Sequence, residues 1–362
     1  MKIGIITFHY ADNYGAVFQT YALQTYLRSL GHEVGIIDYR SDDILYGGRL
    51  RLSLSRRAIK ANIYALYIRL LNMRRGSAQG SEGTGFDSFR KVFLAVSPRR
   101  YTSFAELRDD PPRCDAYICG SDQIWNPPIH VGVDPAYYLD FAPAGRRRIA
   151  YAASFGRNDI EPEYRAEMTR LLKKMDALSV REKNGADLVE RFTGRSAAWH
   201  PDPTLLLDDY DAITTAPAES GYLFTYILRE KEWVEKANRL VADKLQAPVI
   251  DPHRKKMSPT EWIGYIRNAK FVVTNSFHGT VFSIIFGKPF VTVGLTGKKA
   301  SLNDRMLSLL GRIGLDGRFL AAYDETTLLR LVETPVDWEA AHSRLKEWRA
   351  EAQRYLTGAL GG

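Results

Sequence analysis

The chain has 362 residues, 45% of them hydrophobic and 25% charged, so a globular protein of about two domains is expected. This composition excludes a disordered or collagen-like chain and a disulfide-stapled miniprotein. Lysine and arginine outnumber aspartate and glutamate by 50 to 42, a formal net charge of +8 at pH 7. That excess favours an anionic partner, and nucleic acid, acidic lipid or a phosphorylated metabolite would each satisfy it.

The amino-terminal residues MKIGIITFHY lack the basic start, long apolar stretch and small-residue cleavage site of a secretion signal. No uncharged apolar run reaches the length that spans a bilayer, and we therefore expect a cytoplasmic protein. Cys114 and Cys119 frame one short apolar run and face opposite sides if that run is a strand. Neither a disulfide nor a thiolate metal site is expected from them.

The first elements predict a parallel α/β unit. Residues 2–7 form a short apolar strand, residues 16–30 place apolar side chains at helical spacing, and residues 33–39 return as a second strand. The loop between the first strand and the helix lacks the glycine spacing of a dinucleotide-binding turn. A nucleotide cofactor is therefore disfavoured, and no other cofactor and no metal are expected.

A basic segment follows at residues 49–75, with eight arginines or lysines, no acidic residue and apolar side chains at helical spacing. This pattern predicts a basic amphipathic helix inserted into the first domain. The helix either packs its apolar stripe on the domain and leaves its basic face in solvent, or docks on an anionic membrane surface. The second alternative would place the protein peripherally at the inner face of the membrane.

Buried strands recur along the rest of the chain. Apolar runs predict further parallel strands of a first half at 116–120, 148–156 and 177–182. A polar stretch with a proline at 208–220 is typical of a linker. Strands of a second half are predicted at 221–228, 248–251, 271–275 and 289–293, between helical patterns. Ser258 and Glu261 predict a capping box at the start of one of these helices.

This order predicts an α/β fold in which two Rossmann-like domains face each other across a cleft. Its predicted parts are an amino-terminal domain at 1–207, a linker at 208–220, a carboxyl-terminal domain at 221–335 and a terminal helix at 336–362. We expect the terminal helix to pack back on the amino-terminal domain. Ligands of such folds bind at the carboxyl ends of the strands, which directs the search for a site to the loops there.

The sharpest local feature is the polar turn between the strand at 271–275 and the following helix. His278 falls on this turn, together with Asn275, Ser276, Gly279 and Thr280. A helix start presents N–H groups without acceptors and the positive end of the helix dipole, which suits a phosphate or carboxylate. The alternative is an ordinary helix cap beside a structural histidine. Lys298, Asn303 and Arg305 follow the next strand and either add positive charge to the same mouth or lie in solvent.

Arg181 ends the apolar run at 177–182, just before another helical pattern. Its guanidinium group can bind a carboxylate or a phosphate through two parallel hydrogen bonds. The alternative is a surface ion pair with Glu182 or Glu230.

Two loops carry side chains that suit sugar hydroxyls. The loop at 119–127 contains Ser121, Asp122, Gln123 and Trp125, and the first loop contains Asn13, Tyr14 and Gly15. For the loop at 119–127, the alternative is an Asx turn held by a buried tryptophan. His9, in the first loop, is expected to be structural.

Together these segments resemble the polysaccharide pyruvyl transferase family. The resemblance rests on segments in the family's order: NYGAVFQTYALQ at 13–24, CGSDQIWNP at 119–127, YAASFG at 151–156, SVREKNG at 179–185, DPTLLL at 202–207 and TNSFHGTVFSIIFGKPFV at 274–291. It implies a fold like the B-type glycosyltransferases. It also implies transfer of a pyruvyl group from phosphoenolpyruvate to a sugar of a bacterial surface polysaccharide or of its lipid-linked precursor.

By the same resemblance, His278 and Arg181 match the family's functional pair at the donor. Some members carry Arg-Leu before that histidine, where this chain has Ser276 and Phe277. Protonation of the enol phosphate needs an acid, and histidine is the side chain that most readily exchanges a proton near neutral pH. The competing hypotheses are a glycosyltransferase that uses a nucleotide sugar and a non-catalytic polysaccharide-assembly protein. Nucleic-acid binding is not expected, because the positive charge is not interleaved with aromatic stacking residues.

Overall fold

The computed structural model describes residues 1–41, 85–130, 132–228 and 231–361. The predicted basic segment 49–75 lies outside these residues, and so does Glu230. Two five-stranded sheets, with every strand pair parallel, form the frame of the molecule. The predicted α/β class is therefore confirmed.

The first sheet has the strand order β3-β2-β1-β4-β5. Its strands are β1 (Lys2–Ile6), β2 (Glu33–Tyr39), β3 (Val96–Tyr101), β4 (Ala116–Cys119) and β5 (Arg147–Ala150). Two short strands, β6 (Ser179–Val180) and β7 (Ala198–Trp199), pair with each other, and isolated bridges join them to the β5 edge. The central strands are apolar almost throughout because helices cover both faces of a parallel sheet.

The second sheet has the order β12-β11-β10-β8-β9. Its strands are β8 (Leu223–Tyr226), β9 (Val249–Ile250), β10 (Phe271–Thr274), β11 (Phe290–Val293) and β12 (Phe319–Leu320). The central strand β10 pairs with β8 and β11, and all four of its side chains are buried. The carboxyl end of β10 leads directly into the polar turn that carries His278.

The helices connect and cover these strands. They are α1 (Tyr14–Ser29), α2 (Phe86–Phe93), α3 (Phe104–Asp109), α4 (Pro127–His130), α5 (Pro162–Leu172), α6 (Lys183–Thr193), α7 (Lys231–Leu245), α8 (Pro259–Asn268), α9 (Phe277–Ile285), α10 (Asp304–Ile313), α11 (Glu325–Glu333) and α12 (Trp338–Leu360). The predicted capping box is confirmed at the start of α8, where Ser258 and Glu261 cap each other's backbone N–H groups. Among the described residues, no helix is both long enough and apolar enough to cross a membrane.

One hydrophobic core is shared by the two halves. Val17 and Phe18 of α1 lie in the same buried cluster as Trp262 of α8 and Phe282 of α9. Helix α12 belongs to this cluster through Trp348, and its last turns pack against the first sheet. The two sheets are thus fixed in one arrangement, with the carboxyl ends of β1 and β10 directed at a common cavity.

Strand β3 is an element that the sequence analysis did not predict. Its sequence VSPRRY contains a proline and two arginines, which is unlike the apolar runs of the central strands. The strand lies at the edge of the first sheet. A proline is tolerated in an edge strand because an edge strand has a neighbouring strand on one side only and needs fewer backbone N–H donors. Apolar patterning detects strands that are buried on both faces and misses an edge strand of this kind.

Candidate functional site

A cavity of about 320 Å³ lies where the loops of the two halves meet. The amino-terminal half supplies Phe8, Tyr10, Ala11, Asn13, Asp122, Gln123 and Ile129 to its lining. The carboxyl-terminal half supplies Leu228, Asn275, Ser276, Phe277, His278, Leu295, Leu302 and Arg305. Several predicted site residues from distant parts of the sequence therefore meet in one place, at the carboxyl ends of the strands.

The carboxyl-terminal wall is built around the start of α9. Ser276 caps this helix by accepting a hydrogen bond from the Gly279 N–H at 3.3 Å. The N–H groups of Phe277 and His278, the first two of the helix, have no acceptor within the helix. With Arg305 on the same wall, this end of the cavity offers several donors and positive charge to an anion.

His278 lies against the aspartate Asp202 of the other half. Its Nε2 is 3.6 Å from Asp202 Oδ1, an ion-pair distance slightly longer than a hydrogen bond. Nε2 is buried and has no hydrogen-bond partner among the described residues. His278 lines the cavity, and Nδ1 is the ring nitrogen that does not face Asp202.

Asp202 is fully buried and held at both carboxylate oxygens. Oδ1 accepts hydrogen bonds from the N–H and the hydroxyl of Thr204, at 3.1 and 2.7 Å. Oδ2 accepts from Ser121 Oγ at 3.1 Å and from Arg181 Nη1 at 2.9 Å. Burial alone would raise the pKa of Asp202, but His278, Arg181 and Thr204 outweigh burial and hold it below its usual range. The carboxylate is therefore ionised in the folded protein.

Arg181 stands behind this pair and does not line the cavity. Its Nε donates to Glu182 Oε1 at 3.0 Å and its Nη1 to Asp202, and the side chain is only 2% exposed. Burial alone would lower the pKa of Arg181, but the two carboxylates outweigh it and raise the pKa above its usual range. The ion pair with Glu182 exists as the alternative hypothesis had it, but it is buried.

The ring of Phe277 lies close to both Arg181 and Arg305. The guanidinium carbon of Arg181 lies 4.6 Å from the centre of this ring, and that of Arg305 lies 5.9 Å from it. Both cations thus contact the same aromatic side chain. Arg305 is the one of the two that reaches the cavity.

Gly15 is required for the position of the His278 ring. A Cβ atom at Gly15 would lie 2.0 Å from His278 Nδ1, far inside van der Waals contact. The backbone of α1 can therefore approach the imidazole only because residue 15 has no side chain. Gly15 was predicted to bind an acceptor, and the structure places it as the surface against which the histidine rests.

The amino-terminal wall has a different chemistry. Asn13 caps α1 by accepting from the Ala16 N–H at 3.1 Å, and Asp122 accepts from the Gln123 N–H at 2.8 Å. These side chains offer carboxylate and amide groups, and Tyr10 lines the same wall with a pKa that burial raises above its usual range. Such groups suit the hydroxyls of a sugar.

Besides Gly15, three predicted acceptor residues lie outside the cavity lining. Tyr14 stacks on Trp262 and donates to the Met257 carbonyl at 2.9 Å. Trp125 is buried, donates to the Tyr137 carbonyl and holds its loop, as the structural alternative had it. Ser121 is buried and donates to Asp202. These side chains support the wall from behind.

The residues predicted to bind the donor substrate also divide into those that line the cavity and those that support its wall from behind. Gly279 gives space to Thr274, because a Cβ there would lie 2.4 Å from Thr274 Oγ1. Thr280 is fully buried and shares a hydrogen bond with Thr292. Asn303 bonds both backbone groups of Leu295 and so fixes a cavity-lining residue. The side chain of Lys298 lies outside the described part of the chain.

Asp202 is the functional candidate that sequence reasoning missed. It stands in the segment DPTLLL, which was noted only for the family resemblance. A short 3₁₀ helix at Pro203–Leu205 follows it, and the Asp202 side chain caps that helix. An aspartate at a helix start is usually interpreted as a cap, so its approach to His278, 76 residues away, was not predictable from the sequence.

No group of three or more metal-ligating side chains occurs among the described residues.

Solved structures share the overall architecture. A Listeria monocytogenes protein assigned as a UDP-N-acetylglucosamine 2-epimerase superposes with a TM-score of 0.53 at 11% identity, covering 99% of this chain and 95% of that one. The S. aureus MnaA–UDP complex gives 0.52 at 10% identity, with coverages of 98% and 95%. The Streptomyces sp. SF2575 glycosyltransferase SsfS6 gives 0.40 at 12% identity, with coverages of 98% and 96%.

Since the identities are low, the likenesses to the first two structures concern the fold alone, and together with the two parallel sheets they confirm the expected fold of two Rossmann-like domains. No curated protein matches the chain significantly in sequence. The family model described as polysaccharide pyruvyl transferase matches residues 13–296, which include all of the cavity-lining residues except Phe8, Tyr10, Ala11, Leu302 and Arg305. The chain belongs to the polysaccharide pyruvyl transferase family.

Proposed function

We propose that this protein transfers a pyruvyl group from phosphoenolpyruvate to a sugar of a bacterial surface polysaccharide, or of its lipid-linked precursor, and forms a cyclic ketal. The observation that carries the proposal is the contrast between the two cavity walls. One wall combines a helix start, His278 and Arg305, and the other combines Asn13 with Asp122 and neighbouring polar groups. An anionic donor and a hydroxyl-bearing acceptor suit these walls respectively.

The donor is expected on the carboxyl-terminal wall. Phosphoenolpyruvate carries a phosphate and a carboxylate, and a helix start and an arginine both stabilise such groups. Arg305 and the first N–H groups of α9 would bind them. Arg181 acts behind the wall, because its Nε and Nη1 are engaged by Glu182 and Asp202.

The acceptor is expected on the amino-terminal wall, where Asp122, Gln123 and Asn13 can accept and donate hydrogen bonds to sugar hydroxyls. A carboxylate on this side repels the anionic groups of phosphoenolpyruvate and so keeps the donor on the opposite wall. Tyr10 adds an aromatic face of the kind on which a sugar ring packs.

The reaction needs one acid that also serves as a base. The imidazolium of His278 gives a proton to the methylene carbon, whose double-bond electrons form the new C–H bond and leave an oxocarbenium-like carbon. A sugar hydroxyl attacks that carbon and returns its proton to His278. The carbon–oxygen bond to phosphate then breaks, and a second hydroxyl closes the ketal while its proton leaves with the phosphate. The first backbone N–H groups of α9 stabilise the phosphate as it departs.

The test is to incubate the protein with phosphoenolpyruvate and oligosaccharides that carry neighbouring free hydroxyls. We expect phosphate release that depends on the acceptor, and mass spectrometry should find a pyruvyl group on the sugar. Calorimetry with phosphoenolpyruvate and with a nucleotide sugar separates the proposal from a glycosyltransferase. Tight binding of the nucleotide sugar with no response to phosphoenolpyruvate would refute the proposal.

A further inference from the structure

We infer that Asp202 is a positioning residue of this reaction, holding His278 through Nε2 so that Nδ1 exchanges the proton with the substrate. This inference rests on the proposed function, in which His278 supplies that proton. The geometry behind it is the 3.6 Å approach of Asp202 Oδ1 to a buried Nε2 that has no other partner among the described residues. A carboxylate behind one ring nitrogen fixes the ring orientation and stabilises the imidazolium.

Asp202 is well suited to this task because it cannot turn away. Its Oδ2 is held by Ser121 and Arg181 and its Oδ1 by Thr204, so the carboxylate plane is fixed from three directions. These partners all belong to the amino-terminal half, whereas His278 belongs to the other half. The acid is therefore completed only where the two halves meet.

The charged groups around His278 act on its protonation in opposing directions. Asp202 is the nearest, and its pKa lies below the usual range, so it faces the ring as an anion. Arg181 lies beyond Asp202 and neutralises part of that charge. Arg305 and Asp122 face the cavity on opposite walls, and Gly15 contributes no charge. Removing the Asp202 charge should therefore weaken the protonated form of the ring.

A matched control exists in the same half of the molecule. Asp38 is also buried and forms ion pairs with His9, Arg40 and Arg100. Neither Asp38 nor His9 lines the cavity. In both Asp202→Asn and Asp38→Asn, the new amide NH₂ group would face N–H or O–H groups whose hydrogen bonds the carboxylate had accepted. Both variants should therefore lose thermal stability, and the comparison of the two separates positioning from folding.

We expect Asp202→Asn to lower kcat by about 100-fold or more with little change in KM for phosphoenolpyruvate. The alkaline limb of its kcat profile should move to lower pH. Asp38→Asn should lose a similar amount of melting temperature and keep the wild-type kcat and pH profile. An Asp202→Asn profile that coincides with the wild type, with an activity loss no greater than that of Asp38→Asn, would overturn the inference.

A measurement on the wild-type protein decides the point even if Asp202→Asn does not fold. With ¹⁵N-labelled histidine, and His278 assigned through His278→Gln, the spectra should show Nε2 protonated throughout while Nδ1 gains and loses its proton. A neutral ring protonated at Nδ1 would contradict the inference. Since these spectra need no substrate, their outcome is independent of whether phosphoenolpyruvate is the donor.

Discussion

The described residues contain two buried aspartate–histidine pairs, which differ in their location and in their access to the cavity. His9 Nε2 lies 3.0 Å from Asp38 Oδ1 within the amino-terminal half, whereas His278 and Asp202 come from different halves. His9 is fully buried, and its Nδ1 contacts the Thr7 carbonyl at 3.2 Å, so both of its nitrogens are engaged. His278 lines the cavity, and in the proposed reaction its Nδ1 exchanges a proton with the substrate.

This comparison teaches that the ion pair alone does not mark a functional site. Both aspartates have pKa values below the usual range although burial alone would raise them, because histidine and arginine partners outweigh it. The difference lies in access and in the unengaged ring nitrogen. In a structural pair both ring nitrogens of the histidine contact groups of the fold, whereas in a functional pair one ring nitrogen stays available to a substrate.

The largest difference is expected when each histidine is replaced. His278→Gln should lower phosphate release by about 100- to 10,000-fold, because glutamine cannot give a proton. His9→Gln should leave turnover close to wild type and lower the melting temperature. Steady-state phosphate release and thermal unfolding of both variants test this. Equal losses of activity in the two variants would remove the distinction between the pairs.

A smaller loss is expected when the surface behind His278 is changed. Gly15→Ala would place a Cβ 2.0 Å from His278 Nδ1, so the ring must move, and kcat should fall on the order of 100-fold. Gly311→Ala in α10 is the matched control, because a Cβ there meets no atom within 4 Å. It should be neutral for turnover. Normal kinetics of Gly15→Ala would show that the ring position does not limit the reaction.

Substitution of Arg305 tests whether the anionic donor binds at the carboxyl-terminal wall. Arg305→Gln should raise KM for phosphoenolpyruvate about 10-fold or more through the loss of a charge-assisted hydrogen bond. Arg312→Gln, on the same helix, removes an arginine that pairs with Glu351 away from the cavity. It should leave KM unchanged, and calorimetric titration with phosphoenolpyruvate gives the direct comparison. Equal donor affinity in the two variants would exclude Arg305 from the donor site.

The smallest difference is expected in acid, where the two pairs should behave alike. A lowered pKa in the folded state gives stability that is fully present above the unfolded value of about 4 and is lost as the pH falls below it. The free energy of unfolding should therefore decline below about pH 4, and less steeply in Asp38→Asn and in Asp202→Asn. Urea unfolding between pH 3 and 6 measures these slopes. A slope altered in one variant alone would show that the pairs stabilise the fold differently.

Sequence patterning predicted the parallel strands of both sheets except β3 and the two-residue edge strand β12, because the central strands are apolar and buried on both faces. The turn at His278 was also predictable, since a polar segment between an apolar strand and an apolar helix marks the carboxyl end of a strand. Strand β3 escaped because an edge strand need not be apolar.

Relations across the two halves were not predictable in the same way. The contact of Asp202 with His278 and the support of the ring by Gly15 depend on how the sheets are set against each other. Trp125 and Thr280 stand in promising loops, but their side chains point into the core. Residue type and position along the chain do not fix the direction of a side chain.

The core shared through α1 has a consequence for engineering. Tyr14 stacks on Trp262 with ring centres 4.7 Å apart, and Phe18 meets Phe282 at 4.9 Å, so α1 belongs to both halves. A chimera that joins the amino-terminal half of one family member to the carboxyl-terminal half of another would create a mismatched aromatic interface. Recombination that aims to exchange donor and acceptor walls should therefore move α1 and its aromatic partners together, so that the crossover does not fall in the linker alone.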